Sequence, residues 1–232
     1  MHPTAVRHGK AFFDAYAPGF DPARPIRLIE IGSQNLNGSL REVCPPAVDY
    51  TGVDFAAGAG VDVVLDDAYS LPFADQAFDM VVSSSCFEHA QMFWLTFLEA
   101  LGVLRPRGLS HLNATPSGAF HRHPVDCWRF YPDGGKALVA WTRRSGIDAA
   151  LMESFISDAL DNPLGWTDFV AVFLKSEAEA PAFPRRILDG FTAFKNGFVA
   201  GGEGVLNYRE LSEHQKRLLA IQQILTNQIR LA

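Results

Sequence analysis

Leu28-Ile29-Glu30-Ile31-Gly32-Ser33 is an apolar run closed by a carboxylate and two small residues. Tyr50-Thr51-Gly52-Val53-Asp54 repeats the form, with Asp54 lying 24 residues after Glu30. Buried parallel strands read this way when they deliver a ligand-binding group at their carboxyl ends. The separation is about that of one strand–helix–strand unit, and an acid at the end of the second strand is where such folds hold ribose hydroxyls. The pair predicts a parallel α/β sheet that carries a nucleoside-containing cofactor.

Outward from these runs the pattern alternates strand and helix. Strands are expected at Ile26–Ile31, Tyr50–Asp54, Val61–Leu65, Phe78–Ser83 and Leu109–Ala114. Met92, Phe93, Leu95, Phe97, Leu98, Leu101 and Leu104 supply a broad apolar helical face between the last two. Pro132–Arg144 reads as a helix with an acid in its first turn and Arg143-Arg144 in its last, the charge order that suits the helix dipole. Leu151–Ser157 and Asp168–Leu174 are expected to form an antiparallel pair at the sheet edge. A short amphipathic helix is expected over 8–17, ahead of the breaker Asp21-Pro22-Ala23-Arg24-Pro25. Residues 1–175 are read as one domain, and 176–232 as a linker and C-terminal helical extension. In that extension Gly197 to Gly204 reads as a loop, and Ser212-Glu213-His214-Gln215 opens a final helix with a capping box. The apolar stripe of that helix, Leu211, Leu218, Ile221, Leu225 and Ala232, is expected to dock on the chain's own domain or on a second copy.

Composition bounds the function. The net charge of −6 argues against a nucleic-acid partner, since phosphate binding needs a basic surface. No apolar run reaches the ~20 residues that span a bilayer, and the start lacks the form of a signal peptide. A soluble cytoplasmic enzyme is expected. Cys44, Cys86 and Cys127 are odd in number and lack C-x-x-C spacing, so reduced thiols are expected rather than a disulfide framework or a structural zinc site.

Four segments in order, Ile29-Glu30-Ile31-Gly32-Ser33, Gly52-Val53-Asp54, Asp67-Ala68-Tyr69-Ser70-Leu71-Pro72-Phe73 and Phe78-Asp79-Met80-Val81-Val82-Ser83 with Phe87-Glu88-His89, resemble a class I S-adenosylmethionine-dependent methyltransferase of the small-molecule and glycan type. The resemblance covers about residues 26–175. It implies a Rossmann-like, doubly wound sheet of seven strands, mostly parallel, with an antiparallel edge hairpin. It also implies S-adenosylmethionine as cofactor and S-adenosylhomocysteine as product. On the matched positions, Gly32, Ser33 and Gln34 would form the loop around the amino-acid end of the cofactor. Glu30 would orient its ammonium, Asp54 would accept from the ribose, and Phe55 would lie against the adenine. Asp67 and Ala68 would hold the adenine edge, and Ser83 and Ser84 would line the floor below the sulfonium. The loop Gly32–Gly38 lacks the second glycine usual there, which also counts against a dinucleotide site built on G-x-G-x-x-G.

The segment His121-Arg122-His123-Pro124-Val125-Asp126-Cys127-Trp128-Arg129-Phe130-Tyr131-Pro132 follows the fifth strand, which puts it over the carboxyl edge of the sheet on the acceptor side. It resembles a subgroup of these enzymes associated with surface-glycan biosynthesis. His89, His121 and His123 are the candidate bases, because imidazole titrates near neutrality, with Asp126 tuning the loop pair. Trp128 and Arg129 are candidates for stacking on the acceptor and gripping an anion; in the competing reading Trp128 plugs the domain and Arg129 pairs with Asp126. His121, His123, Asp126 and Cys127 match no standard zinc spacing, so no metal is expected. The expected reaction is O-methylation of a sugar or glycan precursor, or of another small molecule. The rivals are a non-catalytic S-adenosylmethionine-binding protein and a nicotinamide-dependent oxidoreductase. A homodimer through the C-terminal extension is also envisaged.

Overall fold

The computed structural model describes residues 2–158 and 166–226. Five strands run parallel: β1 (Ile26–Ile31), β2 (Val48–Asp54), β3 (Val63–Val64), β4 (Phe78–Ser84) and β5 (Leu104–Ala114). Three more, β6 (Ala149–Ser157), β7 (Phe169–Lys175) and β8 (Phe194–Val199), extend the sheet through antiparallel pairings. The order is β3-β2-β1-β4-β5-β7-β6-β8. The chain leaves β1 toward β2 on one side and later returns to β4 on the other. This reversal opens a crevice at the carboxyl ends of β1 and β4, the usual ligand position in open α/β sheets.

Side chains alternate across each strand, so the sheet buries two cores. Ile29 and Ile31 face the side covered by α2 (Phe93–Val103) and α3 (Pro132–Arg144), where they join Phe97, Leu101, Leu138 and Phe173. Leu28 and Met80 face the side covered by α1 (Pro3–Tyr16), with Phe12, Tyr16, Phe183 and Ile187. Each such side chain fully removed from water stabilises the fold by roughly 1.5–3 kcal/mol. Helix α3 has the expected bounds, with Pro132 in its first turn, where a missing N–H costs nothing.

The sheet has eight strands, not the expected seven. The extra strand, β8, comes from the region read as loop and helical extension. Its sequence, Phe-Lys-Asn-Gly-Phe-Val, hides the alternation because Asn196 takes a positive φ of 52° and Gly197 follows it. A Cβ at Gly197 would lie 2.6 Å from the Phe194 ring, so glycine here serves close packing rather than a turn. The expected strand at Val61–Leu65 shrinks to two residues. Asp62 instead turns its carboxylate to the Gly52 N–H at 2.7 Å and to the Arg41 guanidinium. Helix α1 begins at Pro3, earlier than expected.

The final helix, α4 (Glu213–Leu225), forms with its capping box: Ser212 Oγ accepts from Gln215 N–H at 3.2 Å and Gln215 Oε1 from Ser212 N–H at 2.8 Å. Its described stripe does not dock on its own domain, since Leu218 is 66% exposed and Leu225 78%; Ala232 lies outside the described residues. Among the described residues no helix is long and apolar enough to cross a membrane.

Candidate active site

A cleft of about 420 Å³ opens at the β1/β4 crevice, within the range of small-molecule sites. Its first wall is the loop after β1, where Gly32 and Gln34 line the space. Gly32 has φ +79°, and a Cβ there would sit 2.6 Å from the Cys86 Cβ and Sγ, so only glycine lets the two loops close together. The Gly32 and Ser33 N–H groups both donate to Val53 O, at 3.0 and 3.1 Å, which ties this loop to the end of β2.

Asp54 stands at that end, in the cleft. Its Oδ2 accepts from Gln34 N–H and its Oδ1 from Ala56 N–H, each at 3.2 Å. Two oxygens with about four lone-pair directions retain capacity for two hydroxyl donors. Phe55 beside it is 57% exposed and lines the cleft. Leu65, Ala68 and Tyr69 close the third side.

Other residues expected at the cofactor sit differently. Asp67 is exposed and turns its Oδ1 to the Tyr69 N–H at 2.9 Å, which sets the turn that brings Ala68 and Tyr69 to the cleft. Glu30 is buried outside the cleft lining, and its Oε2 accepts from the Tyr50 hydroxyl at 2.7 Å. Burial pushes its carboxyl up to about 7, against the opposing pull of Tyr50 and Arg41. Ser83 spends its hydroxyl on Ile31 O at 2.9 Å, while the hydroxyl oxygens of Ser33 and Ser84 are buried without a partner. The floor is built instead by Ser85 and Cys86. Ser85 takes φ 53°, ending the strand pattern one residue later than the serine run suggests. Burial pushes the Cys86 thiol up to about 12, which keeps it protonated and inert.

The opposite wall carries the imidazoles. His89 and His123 line the cleft, and His121 stands behind them: the His89 ring centroid lies 5.0 Å from that of His121 and 6.0 Å from that of His123, both edge-on. His89 Nδ1 hydrogen-bonds Val125 O at 2.6 Å, and His121 Nδ1 bonds Ala119 O at 3.1 Å. Burial and the neighbouring imidazoles lower the pKa of His89, against the Val125 carbonyl and Asp126. The loop is pinned to the β4–α2 connection because Cys127 and Trp128 N–H both donate to Glu88 O, at 2.8 and 3.1 Å. The Glu88 side chain is buried beside them. Thr115 donates to its Oε1 at 3.0 Å, its Oε2 has no partner, and burial pushes its carboxyl up to about 7. One ligating atom from each of Glu88, His89 and His121 lies within 4.8 Å of the others. Sequence spacing did not show this set, because it joins two segments more than 30 residues apart.

Asp126 and Arg129 form a two-pronged pair, at 2.5 and 2.8 Å, and Asp126 also accepts the His121 N–H at 2.8 Å. The guanidinium beside it holds the Asp126 carboxyl far below the usual carboxylate range. Arg129 donates further to Ala119 O and Trp128 O, so its fork is spent inside the loop and does not face an acceptor. Trp128 donates its indole N–H to Ala90 O at 2.9 Å and packs edge-on to Phe93 and Trp94. The cation that does line the cleft is Arg122, whose Nε donates to Pro124 O at 3.1 Å. Only its place in the loop could have flagged it.

Residues 35–112 match the family described as a methyltransferase domain. The chain is 32% identical over 123 residues to an uncharacterized methyltransferase of Mycobacterium avium, covering 50% of this chain and 44% of that protein. It is 34% identical over 103 residues to another from Mycobacterium marinum, covering 44% and 40%. The chain thus spans less than half the length of these curated relatives. Among solved structures it resembles a Burkholderia thailandensis 1,6-didemethyltoxoflavin-N1-methyltransferase with bound 1,6-didemethyltoxoflavin and S-adenosylhomocysteine, at TM-score 0.53 and 16% identity over 75% of this chain and 79% of that one. It also resembles the YcgJ protein of Bacillus subtilis, at TM-score 0.54 and 13% identity over 76% and 100%. At these identities the structural likeness is one of fold. Residues 35–112 are thus similar to a methyltransferase domain.

Proposed function

We propose that the chain transfers a methyl group from S-adenosylmethionine to a hydroxyl of a sugar, a glycan precursor or another small molecule. The observation that carries this reading is the placement of Asp54 and the His89–His123 pair on opposite walls of one cleft. The cleft fits the donor: Gly32 gives close backbone approach, Asp54 keeps free acceptor capacity for a ribose, and Phe55 offers a flat face to a base. Bound there, S-adenosylmethionine supplies a methyl group already activated by its sulfonium. The protein's share of the work is alignment and exclusion of water. His123, the most exposed imidazole of the cluster, would take the proton from the acceptor hydroxyl as its oxygen bonds the methyl carbon and the carbon–sulfur bond breaks, with S-adenosylhomocysteine as the leaving group. Asp126 and Arg129 are positioning residues that hold the loop in place. Arg122 supplies a positive charge at the acceptor side.

The test is an S-adenosylhomocysteine-release assay against a panel of sugar and small-molecule hydroxyls, alongside calorimetric titration of the donor. Donor binding without release across the panel would favour a non-catalytic binding protein. Affinity for a nicotinamide cofactor in place of S-adenosylmethionine would overturn the reading. The exposed stripe Leu218, Ile221 and Leu225 of α4 pairs two copies of the chain, which mass in solution checks.

A further inference from the structure

We propose that Glu88, His89 and His121 bind one divalent transition-metal ion at the acceptor end of the cleft. This rests on the methyltransferase reading only for the metal's purpose, not for its binding. One carboxylate and two imidazoles make a three-ligand set that leaves coordination positions open, the arrangement of catalytic rather than structural metal sites. Three independent features support it. First, the donor atoms converge within 4.8 Å. Metal–ligand bonds of ~2.0–2.2 Å place neighbouring ligands roughly 3–3.5 Å apart, so small side-chain rotations close the set. Second, Glu88 is 1% exposed and its Oε2 has no hydrogen-bond partner. A carboxylate oxygen buried in that state carries a large desolvation cost that a cation would offset. Third, both imidazoles are already oriented from behind. Val125 O takes His89 Nδ1, Ala119 O takes His121 Nδ1, and Asp126 Oδ2 lies 3.6 Å from the latter nitrogen. Backbone carbonyls and carboxylates on Nδ1 are the outer partners that fix metal-binding histidines and leave Nε2 for the ion.

The ligand chemistry favours ions that accept nitrogen and oxygen together, such as zinc or manganese, over magnesium or calcium. Of the three ligands His89 lines the cleft, beside His123 and Arg122, so an ion held there would border the space assigned to the acceptor. An acceptor oxygen held there would be polarised toward loss of its proton. The metal thereby selects acceptors able to offer one or two oxygens to a cation, as vicinal hydroxyls do. It also leaves His123 as the sole free imidazole of the cluster.

The experiment uses the full untagged chain, stripped with a chelator and titrated by calorimetry with Zn²⁺ alone and Mn²⁺ alone. Co²⁺ absorption reports the coordination. One ion per chain is expected, with affinity lowered at least about 10–100-fold in Glu88→Gln and in His121→Ala. His121 lies in a half-exposed loop, so its variant serves if Glu88→Gln fails to fold. S-adenosylmethionine titration of the same samples separates the two ideas. Donor binding with no stoichiometric metal, or metal binding unchanged in both variants, overturns the metal site and leaves the methyltransferase reading standing. Stoichiometric metal lost in the variants, without donor binding in the wild type, supports the site and removes the methyltransferase reading.

Discussion

Tyr50 donates its hydroxyl to the buried Glu30 carboxylate at 2.7 Å, joining β1 to β2 one residue before the cleft-lining Ile31. Glu30 also feels the Arg41 guanidinium, which stacks over the Tyr50 ring at 4.7 Å. Tyr50→Phe leaves one buried oxygen without its donor. The expected cost is about 1–3 kcal/mol of stability, read from urea unfolding, with the Glu30 carboxyl moved further above about 7.

Glu30 also sets a pH dependence. Its folded value of about 7 lies above the ordinary 4.5, so the folded chain keeps a proton that the unfolded chain has lost. The stability tied to this group is full below its unfolded value and is lost as pH rises through about 7. Unfolding free energy measured across that interval should fall with pH in the wild type. The fall should be shallower in Glu30→Gln, which has no proton to lose. An equally steep fall in the variant would mean that another group carries the slope.

Asp54 should dominate donor binding. It keeps its backbone N–H partners from Gln34 and Ala56 while offering lone pairs to the cleft. Asp54→Ala should weaken S-adenosylmethionine binding by roughly 1.5–3 kcal/mol, since it removes charge-assisted hydrogen bonds. Unchanged calorimetric affinity would displace the donor from this wall.

The strands that build the cleft were legible because each is an apolar run with a chemical group at its end: Ile31-Gly32 and Val53-Asp54 terminate as expected, and β4 runs one residue past the expected Ser83. What escaped was set by side-chain direction and by loop geometry. Ser83 and Ser84 belong to the strand, so Ser85 and Cys86 reach the floor, a shift of one or two residues that periodicity does not resolve. Glu30 alternates with Ile29 and Ile31, so it faces Tyr50 rather than the cleft lining. The contact of Glu88 with the histidine loop depends on two backbone hydrogen bonds that no spacing rule encodes. Strand β8 was masked by Asn196 and Gly197, both residues that ordinarily mark turns.

The C-terminal segment should be needed for the fold up to β8 and dispensable beyond it. Ile187 and Leu188 N–H donate to the buried Glu153 at 2.7 and 3.0 Å, and β8 covers the edge of β6. Ending the chain after Pro184 removes both donors and bares that edge, leaving Tyr16 as the remaining donor at 2.6 Å. A melting point lower by roughly 5–10 °C or more is expected. Ending the chain after Leu211 removes only the exposed α4, and should change mass in solution while leaving the far-UV spectrum of the remaining fold intact. Equal melting points for the full chain and the shorter truncation product would refute the role given to β8.

The histidine loop supplies the last test, because its two possible roles predict different losses. Arg129 makes a fork to Asp126 and two further bonds to Ala119 O and Trp128 O, which an ammonium cannot reproduce. If the loop positions the acceptor, Arg129→Lys should lower methyl transfer while donor affinity stays nearly intact, since Asp54 and Gly32 lie on the other wall. The acceptor KM should rise more than the donor Kd. His123→Ala should cost roughly 10²–10⁴-fold in rate, as loss of a general base does. If the loop only plugs the domain, both variants should melt earlier and the fraction that stays folded should turn over normally. Melting curves, donor titration and S-adenosylhomocysteine release on the same samples decide between these outcomes. Full turnover in a stable His121→Ala, His123→Ala double variant would remove both imidazoles from the chemistry and leave His89 as the remaining base on that wall.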